Sequence, residues 1–459
     1  MELDYTAFRD MIDTKKPIHL VGIGGVSMRA LAGMLLDMGA SVSGSDRDDS
    51  EATERLRESG IPVAVGHDPE NVRGKSLVIR TAAVPDSNPE IAAAREAGIP
   101  VIERAEAWGL IMSRYAQAVC IAGTHGKTST TSMAASMAME AGLDPTVMVG
   151  GELPRIGGTL RIGRSPLFIA EACEYKNSYH SFTPRIAVIL NVDHDHPDFF
   201  KDTNEIVSSF RRFAELVPRE DGVVIANLDD SKTMRAVRGV SRRTVTFGMS
   251  DSADIYPRNV SSVSGYYHCD VWNGPHYFCH IGLSVPGLHN LYNALACAAI
   301  AVELGISGEA FEAGVNDYTG VGRRFELKRE WRGATVYDDY AHHPSEIQAT
   351  LMAAKSMAKG RVICIFQPHT FSRTDSLLED FADTLSLADI AVICPIFAAR
   401  EENTSGVSSA DLAQRIPGAL AADSLAHAAE LLRGLVQPGD MIFTMGAGDV
   451  YKVAEMLEG

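Results

Sequence analysis

"CIAGTHGKTSTT", residues 120–131, decides the fold. The apolar run "AVCIAG" leads into a glycine-bearing turn, and the turn opens "KTSTTSMAASMAMEAG", which reads as a helix. Strand, glycine loop and helix in that order predict a phosphate-binding loop, in which backbone N–H groups at the positive helix end face the anion. The usual pattern, G-x-x-x-x-G-K-[ST], would put its first glycine at Ile121. Here it comes at Gly123, so the loop is two residues tighter and carries His125 inside it. Backbone groups from Gly123 through Thr124, His125 and Gly126 to Lys127 would wrap the phosphates. Lys127 would meet the terminal phosphate oxygens and the Thr128 hydroxyl a Mg²⁺ ion, with Ser129 following in the first helical turn. His125 either faces the phosphates or fills the turn.

Strand and helix patterns alternate on both sides of this loop, which predicts parallel sheets with crossover helices. Before it, "PIHLVGI", "GGVSMRALAGMLLDMG" and "ASVSGSD" read as strand, helix and strand, and "PEIAAAREAG" with "IPVIE" closes a first segment near residue 107. After it, "PLFIAEA" and "IAVILNV" are buried-type strands. Residues 244–283 are richer in aromatics and alternation and suggest an antiparallel insertion or edge, and "NLYNALACAAIAVELG" reads as a closing helix. A third segment from about 320 repeats the pattern with "ATVYDDY", "RVICIFQ", "IAVICPI" and "MIFTMG". A chain of 459 residues is too long for one core, and roughly one domain per 150 residues gives about three.

The formal charge of -17 argues against broad nucleic-acid or membrane binding, so an anionic ligand must be held by local groups. No apolar run approaches the roughly 18 residues that span a bilayer, and "MELDYTAFRD" lacks the features of a signal peptide. A cytoplasmic protein is expected. The seven cysteines are scattered without a C-x-x-C pair, most of them as small buried hydrophobes with free thiols.

"GIGGVS" puts Gly22, Gly24, Gly25 and Ser27 between a strand and a helix, and Asp46 ends the next strand, where a dinucleotide fold holds ribose. Ser27 stands where a third glycine would be. The cluster alone fits a tight turn, a nicotinamide dinucleotide of a dehydrogenase, or another nucleotide diphosphate. Beyond the phosphate loop, "EACE" supplies Glu171 and Glu174 after one strand, and "NVDHDH" supplies His196 after another. Neighbouring parallel strands deliver their ends to one sheet edge, so these groups can converge with Thr128 on a divalent ion.

In order and spacing, "GIGGVSM", "AGTHGKTST", "EACE", "NVDHDH", "PGLHNLYNALA", "GVGRRFE", "DDYAHHPSE", "FQPHTFSRT" and "GAGDVY" resemble the Mur ligases over essentially the whole chain, and among them the members that add L-alanine to UDP-N-acetylmuramate. The resemblance implies an α/β fold of three domains: a Rossmann-like N-terminal domain (1–107) for the UDP-sugar, a central P-loop ATPase α/β domain (108–319), and a C-terminal Rossmann-like α/β domain (320–459) for the amino acid. It implies ATP, UDP-N-acetylmuramate and L-alanine as reactants, an acyl phosphate intermediate, Mg²⁺ or Mn²⁺ as metal, and a monomer or homodimer. Lys127, Glu171, His196 and Arg324 match the family's catalytic positions, and Thr128, Glu171 and His196 its metal positions. His289, Asn290, Asn293, Arg324 and Asp339 match nucleotide contacts. Gly22, Gly24, Gly25, Ser27 and Asp46, with Thr81, Ala82 and Ala83, match the UDP site. Tyr340, His342, His343, His369 and Arg373 match the amino-acid pocket, with Arg373 taking the alanine carboxylate at two points. The chain departs from the family at Cys173, where Asp is common, at His194, where Ala is common, and at Thr370, where many members carry Arg. No carbamylated lysine is expected. The rivals are a related ligase adding glycine or a peptide, a nicotinamide-dependent dehydrogenase, and a nucleotide-binding switch without ligase chemistry.

Overall fold

The computed structural model describes residues 3–399 and 401–457. Three sheets organise the chain. The first is wholly parallel, in the order Val63–Val65, Ser41–Asp46, Pro17–Val21, Leu77–Arg80, Val101–Glu103. Strand order reverses between Pro17–Val21 and Leu77–Arg80, so the loops that follow these two strands flank the crevice where such sheets bind ligands. They carry Gly22 and Thr81 respectively. The two loops touch: a Cβ on Gly22 would lie 2.9 Å from Cγ2 of Thr81.

The central sheet has ten strands. From Arg243–Phe247 through Val223–Asn227, Ile186–Ile189, Gln117–Ala122 and Leu167–Glu171 to Thr146–Leu153 it is parallel, and its apolar strands are buried on both faces. The expectation for 244–283 needs correction here. Arg243–Phe247 belongs to the parallel core, and within 244–283 only the meander Ile255–Val263, Tyr266–Asn273, His276–Gly282 has antiparallel pairing, while at the opposite edge the tenth strand, Gly158–Arg161, pairs antiparallel with Thr146–Leu153. The strand Gln117–Ala122 lies between Ile186–Ile189 and Leu167–Glu171. The phosphate loop therefore leaves the middle of the sheet, flanked by the segments that carry Glu171 and His196.

The third sheet pairs Glu326–Trp331 antiparallel with Ala334–Asp339 and continues parallel through Met441–Met445, Val362–Phe366, Ile390–Ile393 and Leu420–Ala421. Six of the seven cysteines are buried free thiols, and Cys173 is half-buried. No helix among the described residues is long and apolar enough to cross a membrane.

Candidate active site

The phosphate loop is built as the sequence leads one to expect, with Gly123 at φ +151° and Gly126 at φ +82° before the helix Lys127–Glu140. Asn191, just beyond Ile186–Ile189, clamps it: Oδ1 accepts from His125 N at 2.8 Å and Nδ2 donates to His125 O at 3.0 Å. Thr124 adds a reciprocal tie to Asp193, its hydroxyl accepting from Asp193 N at 2.8 Å and lying 3.2 Å from Asp193 O. A single segment distant in sequence, residues 191–193, thus holds the loop in place.

Lys127 turns back over the loop, Nζ donating to Gly123 O at 2.6 Å and Thr124 O at 3.0 Å, and it pairs with the wholly buried Glu174 at 2.9 Å. Burial opposes its charge, but Glu174, with smaller contributions from Cys173 and Glu171, raises its pKa. Thr128 Oγ1 donates to Glu171 Oε2 at 2.9 Å, and the same oxygen accepts from Gly150 N. His196, held at φ +56°, sets Nε2 3.8 Å from Glu174 Oε1 and packs against the Tyr175 ring at a tilt of 33°. With Glu174 committed to Lys127, the Thr128 hydroxyl, the Glu171 carboxylate and the His196 imidazole line one cavity and are donors of the kind that suits Mg²⁺ or Mn²⁺.

Two cavities meet at the loop. One, of about 740 Å³, is lined by Gly126, Ser129, His289, Asn290, Asn293 and Arg324, with Asp339 and Glu346 on its third-sheet side. The other, of about 630 Å³, is lined by Lys127, Thr128, Glu171, His196, Tyr340 and His342. In the first, Asn293 Nδ2 donates to Asn290 Oδ1, and burial followed by Arg324 pushes the His289 pKa down to about 4. The Asp339 carboxylate accepts from Phe325 N, Ala341 N and Thr350 Oγ1, and burial raises its pKa to about 6. Arg324 lies over the Tyr340 ring and borders both cavities. A smaller space of about 180 Å³ is lined by Ser27 and Arg104 of the first unit and by Glu171 and Cys173 of the central one. It shares Val26, Gly150, Thr159 and Glu171 with the second cavity.

In that first loop, Gly24 N donates to Asp46 Oδ2 at 2.8 Å, so Asp46 braces the turn. Gly25 starts the helix Val26–Asp37, and Ala82 O accepts from Lys176 Nζ at 3.2 Å, which ties the Thr81, Ala82 and Ala83 loop to the central unit.

Family models match in sequence order: the Mur ligase family catalytic domain over 17–116, the Mur ligase middle domain over 121–301, and the Mur ligase glutamate ligase domain over 323–448. The UDP-N-acetylmuramate–L-alanine ligase of Caldanaerobacter subterraneus subsp. tengcongensis is 45% identical, over 99% of this chain and 98% of its own. This chain belongs to the Mur ligase family. The enzyme of the same name from Clostridium novyi is 44% identical over 98% of this chain and 99% of its own. The crystal structure of UDP-N-acetylmuramate-alanine ligase from Thermotoga maritima aligns at a TM-score of 0.80 and 28% identity, covering 96% of this chain and 98% of that one.

In this Mur ligase the third-domain residues close on the central domain. Arg373 reaches across to Asp195, and its Nη1 lies 3.3 Å from His369 Nδ1. Asp195 thus occupies the Nε/Nη2 edge of the guanidinium that the family resemblance assigns to the amino-acid carboxylate, and Nη1 faces His369. Burial first, and the Arg373 charge among the other causes, holds His342 at a pKa of about 3 and His369 at about 4. His343 caps the helix Pro344–Met357, accepting from Ser345 N, and donates to the backbone carbonyl of His194. The His194 ring itself is a loop tie, on Phe200 O at 3.2 Å. Thr370 adopts φ +67° just before the helix Phe371–Ser376. Sequence reasoning passed over Arg104, Lys176, Asn191, Asp193 and Glu346. Asn191, Asp193 and Glu346 lie inside quoted motifs and Lys176 two residues past "EACE", so their signal was present, whereas Arg104 stands in no motif read from the sequence.

Proposed function

We propose that the chain joins L-alanine to the lactyl carboxylate of UDP-N-acetylmuramate, converting ATP to ADP and phosphate. The observation that carries this reading is the junction at Lys127. There a phosphate loop, a carboxylate–imidazole cluster and third-domain side chains share one cavity, and Val26 and Glu171 also line the adjoining space that holds Ser27, at the start of the helix after the first glycine loop. The names of the relatives that match end to end support the same reactants.

A carboxylate does not react with an amine, so it must first be activated. Its oxygen attacks the terminal phosphorus of ATP, the bond to ADP breaks, and an acyl phosphate forms. The neutral amine of alanine then attacks the acyl carbon, phosphate leaves with the bonding pair, and the amine proton passes to solvent or a nearby base. This chemistry depends on positioning and charge neutralisation. Lys127 and Arg324 lie where they can balance charge on the transferring group. His289, Asn290, Asn293 and Asp339 line the cavity assigned to adenosine, and Tyr340, His342 and His369 border the approach for alanine. Thr128, Glu171 and His196 would hold Mg²⁺ or Mn²⁺, which when bound draws negative charge from phosphate oxygens. Enclosure by the third domain keeps water from the acyl phosphate.

Phosphate release from ATP, measured with alanine, glycine, serine or a tripeptide and with the UDP-sugar present or absent, tests the reading. Release should require both L-alanine and UDP-N-acetylmuramate. Turnover without the sugar, or a preference for the tripeptide, would overturn it.

A further inference from the structure

The chemistry above gives the His125 side chain of the phosphate loop no part. With its backbone clamped by Asn191, its imidazole projects toward the third domain, 17% exposed. Nδ1 lies 3.3 Å from Glu346 Oε1 in the first turn of Pro344–Met357, and Nε2 lies 3.6 Å from Asp193 Oδ2 of the central domain. The ring packs on His343 at 4.8 Å between centroids.

The charges around it can be counted. Asp193 also meets Lys232 Nζ and Ser345 Oγ, each at 2.9 Å, while Glu346 meets Arg324 at 3.9 Å and His342 at 3.3 Å, and Asp195 acts from further off. Burial pushes His125 toward neutrality, but the two flanking carboxylates outweigh it and raise its pKa to about 9. His125, Asp193 and His343 lie within 4.8 Å of one another, a spacing that could hold a metal. Both His343 nitrogens are already engaged, however, and Asp193 carries Lys232. Charge pairing explains the trio better than a cation site does.

We propose that His125 is a positioning residue, an electrostatic tie from the phosphate loop to Glu346 that couples ATP binding to closure of the third domain. Without it, Asp193 would keep Lys232 and Glu346 would keep the more distant Arg324, and the negative charge they present beside the triphosphate would be less fully balanced. The inference rests on the reading that this loop holds ATP.

Its test is the pair His125→Asn and Glu346→Gln. His125→Asn should raise the KM for ATP by about 30-fold or more, as expected when a buried carboxylate loses its partner. The double variant should recover most of that loss, because the charge that His125 balances is gone. A wild-type KM in His125→Asn, or a double variant no better than the single, would overturn the tie. Should His125→Asn fail to fold, Glu346→Gln alone decides. Cutting the tie from the other side should leave more of the ATP-bound protein open in small-angle scattering, and wild-type closure would refute the idea. Lys127→Ala separates the two levels: if it is inactive while His125→Asn behaves as wild type, only the tie falls.

Discussion

Arg373 and Asp195 form a buried ion pair between the third and central domains, with Nε and Nη2 at 3.0 and 2.8 Å from the same oxygen, Oδ1, and both side chains 6% exposed. That oxygen also accepts from the backbone N of His196 at 2.7 Å. One carboxylate thus sets the orientation of a proposed metal residue and of a residue from the amino-acid side of the site. The second contact crosses from the central to the third domain.

Removing one member of a buried pair leaves a charge unpaired and costs about 3–5 kcal/mol. Arg373→Met should therefore lower the unfolding midpoint and raise the KM for L-alanine. The double variant with Asp195→Asn should restore the midpoint without restoring the KM. Thermal melts and alanine titrations on the three variants check this, and recovery of both quantities together would mean that Arg373 acts only in packing.

Lys127→Ala should reduce alanine-dependent phosphate release by about 10³-fold, the cost of losing one preorganised charge at the transferring group. It should also destabilise the fold, because Glu174 has no accessible surface and would lose the cation paired with it. Near-normal turnover would remove the loop from the chemistry.

Glu90, in the first turn of the helix Pro89–Glu96, has no accessible surface. Ser45 Oγ and Asn71 Nδ2 each donate to it at 2.6 Å, His67 Nδ1 lies 2.9 Å away and His19 Nε2 3.6 Å. Burial alone would raise its pKa, but these neighbours outweigh burial and bring it down to about 2. A depressed carboxyl pKa stabilises the fold above the unfolded value of 4.5, and that stabilisation is lost as pH falls toward 2. Glu90→Gln should therefore cost about 3 kcal/mol at neutral pH. Its gap in melting temperature from the wild type should narrow below pH 4.5 and close near pH 2; a gap independent of pH would contradict the ionised network.

The phosphate loop was legible because its signal is local: apolar strand, glycines, lysine and helix follow one another within a few turns. Glu171 and His196 were legible because each follows an apolar run, and parallel neighbours share an edge. Strand order was not, since crossovers decide it and they leave no mark on composition. Glu326–Trp331 escaped notice because this edge strand reads "ELKREW" and exposes Leu327 rather than burying an alternating face. Arg243–Phe247 was assigned to the antiparallel region because its polar threonines alternate, although it pairs parallel with Val223–Asn227. The Glu90 network gathers His19, Ser45, His67 and Asn71 from separate elements, and Arg373 meets Asp195 across 178 positions. Such pairings exist only after folding, so the partner that claims one edge of Arg373 could not be read from either motif.

Gly126 and Gly142 flank the helix Lys127–Glu140 and allow strain to be separated from binding. Both adopt positive φ, +82° and +73°. Alanine at either should cost about 1–2 kcal/mol of backbone strain. Their surroundings differ: a Cβ on Gly142 meets nothing within 4 Å, whereas one on Gly126 would lie 2.8 Å from Asn293 Oδ1. Asn293 in turn donates to Asn290, and both border the cavity assigned to adenosine. Gly142→Ala should therefore lower the melting temperature and leave the KM for ATP unchanged. Gly126→Ala should lower the melting temperature at least as much and raise the KM for ATP, because the new methyl displaces the asparagine pair. Equal ATP affinity in the two variants would show that the loop's contact with Asn293 has no part in holding the nucleotide.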